Sequence, residues 1–132
     1  MKYKDALFHY IETTTGYGIQ EKELTMSLPL YIQAGYDLWS CSVSGFGVVF
    51  AHVKDTTTDM RIHYNAVRKI EEKCPCYVVL VFDSLGSRNI NRLIEKRQSF
   101  VIIDKYVYMP FALMQMKSEK LQPIPRKNFQ SL

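Results

Sequence analysis

Few groupings of residues in this chain could do chemistry. Asp83-Ser84-Leu85-Gly86-Ser87 follows the apolar run 76–82 and precedes a helical pattern. Backbone amides and the positive end of a helix can hold an anion at such a junction. A phosphate loop would need a Gly-Lys-Ser or Gly-x-Gly-x-x-Gly pattern, and the sequence has neither. Ser84 or Ser87 is therefore expected to be a helix N-cap. Asp83 stands at the carboxyl end of an expected buried strand, where α/β folds place function; its expected role is that of a turn or cap residue. Arg88, Arg92 and Lys96 recur at helical spacing on one face, diluted by Glu95. Such a face can contact phosphates, although a solvated helix surface is its commoner meaning. His9, His52 and His63 are scattered, and no second Cys or His pair accompanies Cys74 and Cys76 at metal spacing. Cys41, Cys74 and Cys76 are expected to be reduced thiols, with no metal and no cofactor. Nucleophilic catalysis finds no support, since neither a G-x-S-x-G elbow nor a Cys with a plausible His partner is present.

The elements that must position these residues follow from hydrophobic periodicity. Tyr3, Leu7, Tyr10 and Ile11 predict a helix over 2–14, stopped by Thr13-Thr14-Thr15-Gly16. The polar stretch 20–26 reads as a second short helix or a turn. Residues 27–32 are apolar, but Pro29 cannot donate a ladder bond, which leaves an edge strand or a helical turn. Two strands, 36–43 and 47–53, flank the turn Ser44-Gly45-Phe46-Gly47. A helix is expected from 59 to 73, with Ile62, Ala66, Val67 and Ile70 inward. The run 76–82 is the signature of a strand covered on both faces. A further helix ends near Gln98, with Ile90, Leu93 and Ile94 inward, and buried strand 100–103 follows. Asp104-Lys105 turns the chain, and 106–108 extends it again. Strand, helix and strand in about thirty residues imply a right-handed parallel β-α-β unit. The fold class is α/β: a mixed sheet with an antiparallel hairpin and a parallel β-α-β unit, helices on both faces.

With 132 residues, 47% hydrophobic and 23% charged, the chain is long and apolar enough for one cored domain, which excludes wholesale disorder. A net charge of +4 permits contact with nucleic acid without demanding it. No apolar run approaches the ~20 residues that cross a bilayer, and the start lacks a signal peptide's apolar stretch. A cytoplasmic location and no membrane contact are expected. Residues 1–116 are expected to form the domain. The proline- and charge-rich residues 117–132 read as a linker to an absent C-terminal domain. Tyr106, Tyr108, Phe111 and Met114 cluster before that linker, and their residue types are those enriched at interfaces. They are candidate homodimer contacts.

Two resemblances extend this reading. The first rests on Leu28-Pro29-Leu30-Tyr31-Ile32 with Tyr36-Asp37-Leu38-Trp39, and on Val78 to Asp83, Ser87-Arg88, Arg92 to Lys96, Ser99 to Ile102 and Tyr106 to Phe111. Over about residues 24–132 this pattern resembles the N-terminal domain of bacterial MarR-like transcriptional regulators, in which a winged helix follows. That resemblance implies a dimerisation or sensing domain that is not an enzyme, with DNA read through the missing part. The element order is also similar to a restriction-endonuclease-like core. Active members carry an Asp near the first hairpin strand and a Glu-x-Lys on a later one. Asp37 and His52-Val53-Lys54 fall at comparable places, with His52 where the second acid belongs. Magnesium is a hard ion that takes oxygen donors, so the resemblance implies a catalytically degenerate scaffold. The rival expectations are a nuclease-like phosphodiesterase using Asp37, Lys54 and Asp83, and an antitoxin-like interaction domain.

Overall fold

The computed structural model describes residues 2–55 and 59–112, and the backbone of 114–117. Its elements run α1 (Tyr3–Thr15), β1 (Ile19–Lys22), α2 (Leu30–Gly35), β2 (Tyr36–Val43), β3 (Phe46–Val53), α3 (Met60–Lys73), β4 (Tyr77–Phe82), α4 (Ser87–Glu95), β5 (Phe100–Ile102), β6 (Tyr106–Met109), a 3₁₀ turn (Pro110–Ala112) and β7 (Met114–Lys117). The seven strands lie side by side in sequence order. Pairs β1–β2, β2–β3, β5–β6 and β6–β7 are antiparallel, while β3–β4 and β4–β5 are parallel. The chain is thus an α/β domain with a mixed sheet and helices on both faces.

Local chemistry explains the main elements. Ser44 and Gly45 both take positive φ, 53° and 86°, in the two-residue turn between β2 and β3. Two such residues twist a hairpin in the same sense as its strands, and glycine occupies this backbone region without a Cβ clash. Helix α1 ends on Gly16 at φ 81°, whose N–H reaches the Glu12 carbonyl. Helix α3 begins on Asp59, whose carboxylate accepts from the Arg61 N–H at 2.9 Å.

Strand alternation sorts the core into two layers. Val49, Ala51, Val78, Leu80, Phe100 and Ile102 face α3 and α4, which contribute Ala66, Val67, Ile70 and Leu93. Val48, Phe50, Val79, Val81, Val101 and Val107 face α1, which contributes Leu7, Tyr10 and Ile11. Residues Val78 through Val81 are each no more than 3% exposed, so β4 is covered on both sides as its unbroken apolar run requires. Helices α3 and α4 cross on the same face because both parallel connections share one hand.

Several expectations change. Residues 19–22 form edge strand β1, paired through Ile19↔Val43 to Lys22↔Ser40, where a helix or turn was expected. An edge strand with three exposed residues shows no apolar alternation. Of the two alternatives for 27–32, the helical one forms: residues 30–35 are helix α2, entered through Pro29, whose fixed φ suits a helix start. On α3, Ile62 is 49% exposed, and Met60 and His63 join Ala66, Val67 and Ile70 on the buried stripe. Helix α4 is shorter than expected and starts on Gly86, so neither Ser84 nor Ser87 caps it. Lys117 belongs to β7, and the rest of the expected linker, 118–132, lies outside the described residues. Among the described residues, no helix is long and apolar enough to cross a membrane.

Candidate functional site

Sheet geometry gathers Asp37, His52, Lys54 and Asp83. Asp37, the second residue of β2, pairs in register with His52 on β3, and His52 in turn lies beside Val81 on β4. Alternation turns Asp37, His52 and Asp83 toward the α1 face, since each is an even number of residues from Trp39, Phe50 or Val81 in that layer. All lie where the parallel strands β3 and β4 end, the edge at which α/β sheets carry ligands.

The His52 imidazole spans the gap between two carboxylates. Its Nε2 is 3.1 Å from Asp83 Oδ1, and its Nδ1 is 3.7 Å from Asp37 Oδ2. The Asp37 contact is beyond hydrogen-bond length, and Nδ1 is buried with no hydrogen-bond partner among the described residues. Lys54 Nζ lies 3.5 Å from Asp37 Oδ1. The His52 side chain is only 12% exposed, whereas Asp37, Asp83 and Lys54 are about half-exposed at 50%, 57% and 45%. Helix α1 roofs the ring. Tyr3 stacks on His52 with centroids 4.0 Å apart and an interplanar angle of 10°, and Trp39 lies 6.2 Å from His52 in a nearly parallel plane. The Tyr3 hydroxyl is directed toward Asp83 without closing a hydrogen bond. Burial first, and then the Asp83 and Asp104 carboxylates, push its pKa well above the ordinary tyrosine value. The Lys4–Glu21 ion pair, 2.8 Å, links the start of α1 to β1.

Asp83 lies in the turn that follows β4, as expected, and there its carboxylate meets the His52 imidazole. Tyr3 and Trp39 carry no sequence signal for this cluster, because each reads as an apolar-stripe residue like its neighbours. The cationic residues of α4 lie on the opposite face of the sheet. Arg92 and Lys96 border a groove between α3 and α4, and Arg88 is not among the residues lining it. Of the candidate dimer residues, Tyr106 and Tyr108 are 8% and 6% exposed and pack in the chain's own core around Phe100. Phe111 stacks on the half-exposed Tyr77 at 4.3 Å. Met114 is paired with Met109 in β7. Cys41 is buried, and Cys74 and Cys76 lie close together near the surface, where burial and the neighbouring Cys74 push the Cys76 thiol up to about 12. A thiol so shifted is a poor nucleophile at neutral pH. Among the described residues, no group of three His, Cys, Asp or Glu side chains is arranged to hold a metal ion. No protein-family model, no curated protein and no solved structure matches this chain.

Proposed function

We propose that this chain is a catalytically silent, nuclease-like domain of a DNA-binding regulator, contributing assembly or sensing while another part reads the operator. The element order, a helix, three antiparallel strands with the short α2 between the first two, a helix and a parallel strand, supports a nuclease-like ancestry. So does the meeting of Asp37 with His52-Val53-Lys54 at one sheet edge.

The observation that carries the silent character is the position of His52. Two-metal and one-metal phosphodiester chemistry rests on paired carboxylates that hold a hard cation against the scissile phosphate. Here an imidazole stands between Asp37 and Asp83, with one nitrogen toward each. It offers nitrogen where oxygen is needed. The Tyr3 ring covers its other side. Asp37 is further engaged by Lys54, the group that in an active member would meet the phosphate.

The test is incubation of the chain with supercoiled plasmid and magnesium or manganese. The expected result is intact plasmid at all times. Metal-dependent cutting that disappears in Lys54→Ala would overturn the reading and favour the phosphodiesterase.

A further inference from the structure

Helices α3 and α4 bound a surface groove on the sheet face opposite His52. A cavity of about 610 Å³ is lined by Asp59, Met60, Arg61, Tyr64, Arg92, Glu95 and Lys96. A second, of about 310 Å³, continues it past Tyr64 and Lys96 to Arg68, Glu71 and Gln98. Four cations from two helices therefore line one concavity, although in sequence they belong to separate runs.

Their partners divide them. Arg61 is committed to Asp59 at 2.7 Å, and that pair holds the Asp59 carboxyl down at about 2. Arg92 and Lys96 close no ion pair among the described residues, and both are exposed. Lys96 Nζ instead lies 5.0 Å over the Tyr64 ring. Arg68 reaches Asn65 at 3.5 Å and lies near the Glu71 carboxylate. Against Arg68, Arg92 and Lys96 stand Glu95 and Glu71. Burial pushes the Glu71 carboxyl up, while the Arg68 guanidinium beside it pulls it down. The Tyr64 ring is half-buried at the join of the two cavities, and its hydroxyl has no hydrogen-bond partner among the described residues.

We propose that this groove binds single-stranded nucleic acid, with phosphates against Arg68, Arg92 and Lys96 and a base on the Tyr64 ring in place of Lys96. Cations tracking a backbone, interrupted by an aromatic face, are the two elements of sequence-tolerant single-strand binding. The concavity decides against a duplex, whose readers insert a protruding helix or strand into a groove. This site is separate from the His52 cluster and survives or fails independently of the silent-nuclease reading.

The test is fluorescence anisotropy of the full chain with a labelled oligothymidylate. Three released phosphate contacts predict roughly twentyfold weaker binding between about 50 and 200 mM salt. The double variant Arg92→Gln/Lys96→Gln, at two exposed positions, is expected to retain only about a threefold salt effect and to bind more weakly at low salt. Tyr64→Leu is expected to lose about tenfold in affinity, and circular dichroism confirms that each variant folds. Absence of binding at low salt overturns the proposal, as does a double variant that binds like the parent. If inorganic polyphosphate displaces the oligonucleotide and Tyr64→Leu binds normally, the groove is a plain anion site and the nucleic-acid assignment is wrong.

Discussion

Replacing His52 with Asp tests directly whether the imidazole is what keeps the Asp37–Asp83 pair closed to a cation. The present ring lies 3.1 Å from Asp83 and 3.7 Å from Asp37. An aspartate at 52 would bring three carboxylates onto one sheet edge. Asp37 and Asp83 are half-exposed, so the solvent value of the Coulomb interaction applies, about 1 kcal/mol for each like-charge contact near 4 Å. Two contacts therefore cost about 2 kcal/mol. Loss of the Tyr3–His52 stack adds about 1 kcal/mol. The His52→Asp variant should be about 3 kcal/mol less stable than the parent in metal-free buffer, a large share of the ~5–15 kcal/mol of a small domain. A divalent cation reverses the sign of this effect, because it binds the folded site and not the unfolded chain. At a hundred times its dissociation constant it restores about 2.7 kcal/mol. Urea denaturation with and without manganese reads both numbers. The parent should be indifferent to manganese, while His52→Asp should recover most of its loss. His52→Asn separates the terms, since it removes the stack without adding charge. The reasoning is refuted if His52→Asp is as stable as the parent without metal, or if manganese stabilises both proteins equally.

Three further outcomes follow from the same geometry. Val79→Asp should abolish cooperative unfolding, because Val79 is fully buried on the α1 face of a strand covered on both sides and an unpaired buried charge costs several kcal/mol; a soluble, cooperatively melting variant would show that face to be open. His63 sits buried against the Tyr36 hydroxyl at 2.5 Å, and burial holds its pKa below 6.5. The neutral ring is therefore the folded form, stability is unaffected above the unfolded value near 6.5, and it falls by up to about 1.4 kcal/mol per pH unit below that until the folded value is reached. Urea midpoints between about pH 7 and 5 check this slope, which His63→Leu should remove; an identical slope in that variant would assign it elsewhere. Gly45→Ala should cost about 1–2 kcal/mol, because φ 86° is a left-handed conformation there, and a thermal melt unchanged from the parent would contradict the turn assignment.

The sequence by itself determined the elements whose signal is local. The unbroken run of β4 pointed to a strand covered twice, and Ser44-Gly45-Phe46-Gly47 between alternating strands pointed to a hairpin turn, which the structure tightens to Ser44-Gly45 with Phe46 already in β3. The spacing of Ala66, Val67 and Ile70 defined the inner face of α3, and the parallel order around α4 followed from the handedness of crossovers. Tertiary structure decided what no window of residues contains. Strand β1 exists because the β2 edge offers it a ladder, not because its polar residues favour extension. Ile62 lost its place in the core to His63, because the Tyr36 hydroxyl supplies a partner that makes a buried imidazole tolerable. Tyr106 and Tyr108 had interface-like side chains, yet sheet closure around Phe100 buried them. Asp37, His52, Lys54 and Asp83 were nameable one by one. Their meeting depended on strand register and on a parity of two along each strand, and the Tyr3 roof depended on which face α1 covers. Register and face are set by how whole elements bury their apolar sides together, so side chains far apart in sequence meet only once the sheet is assembled.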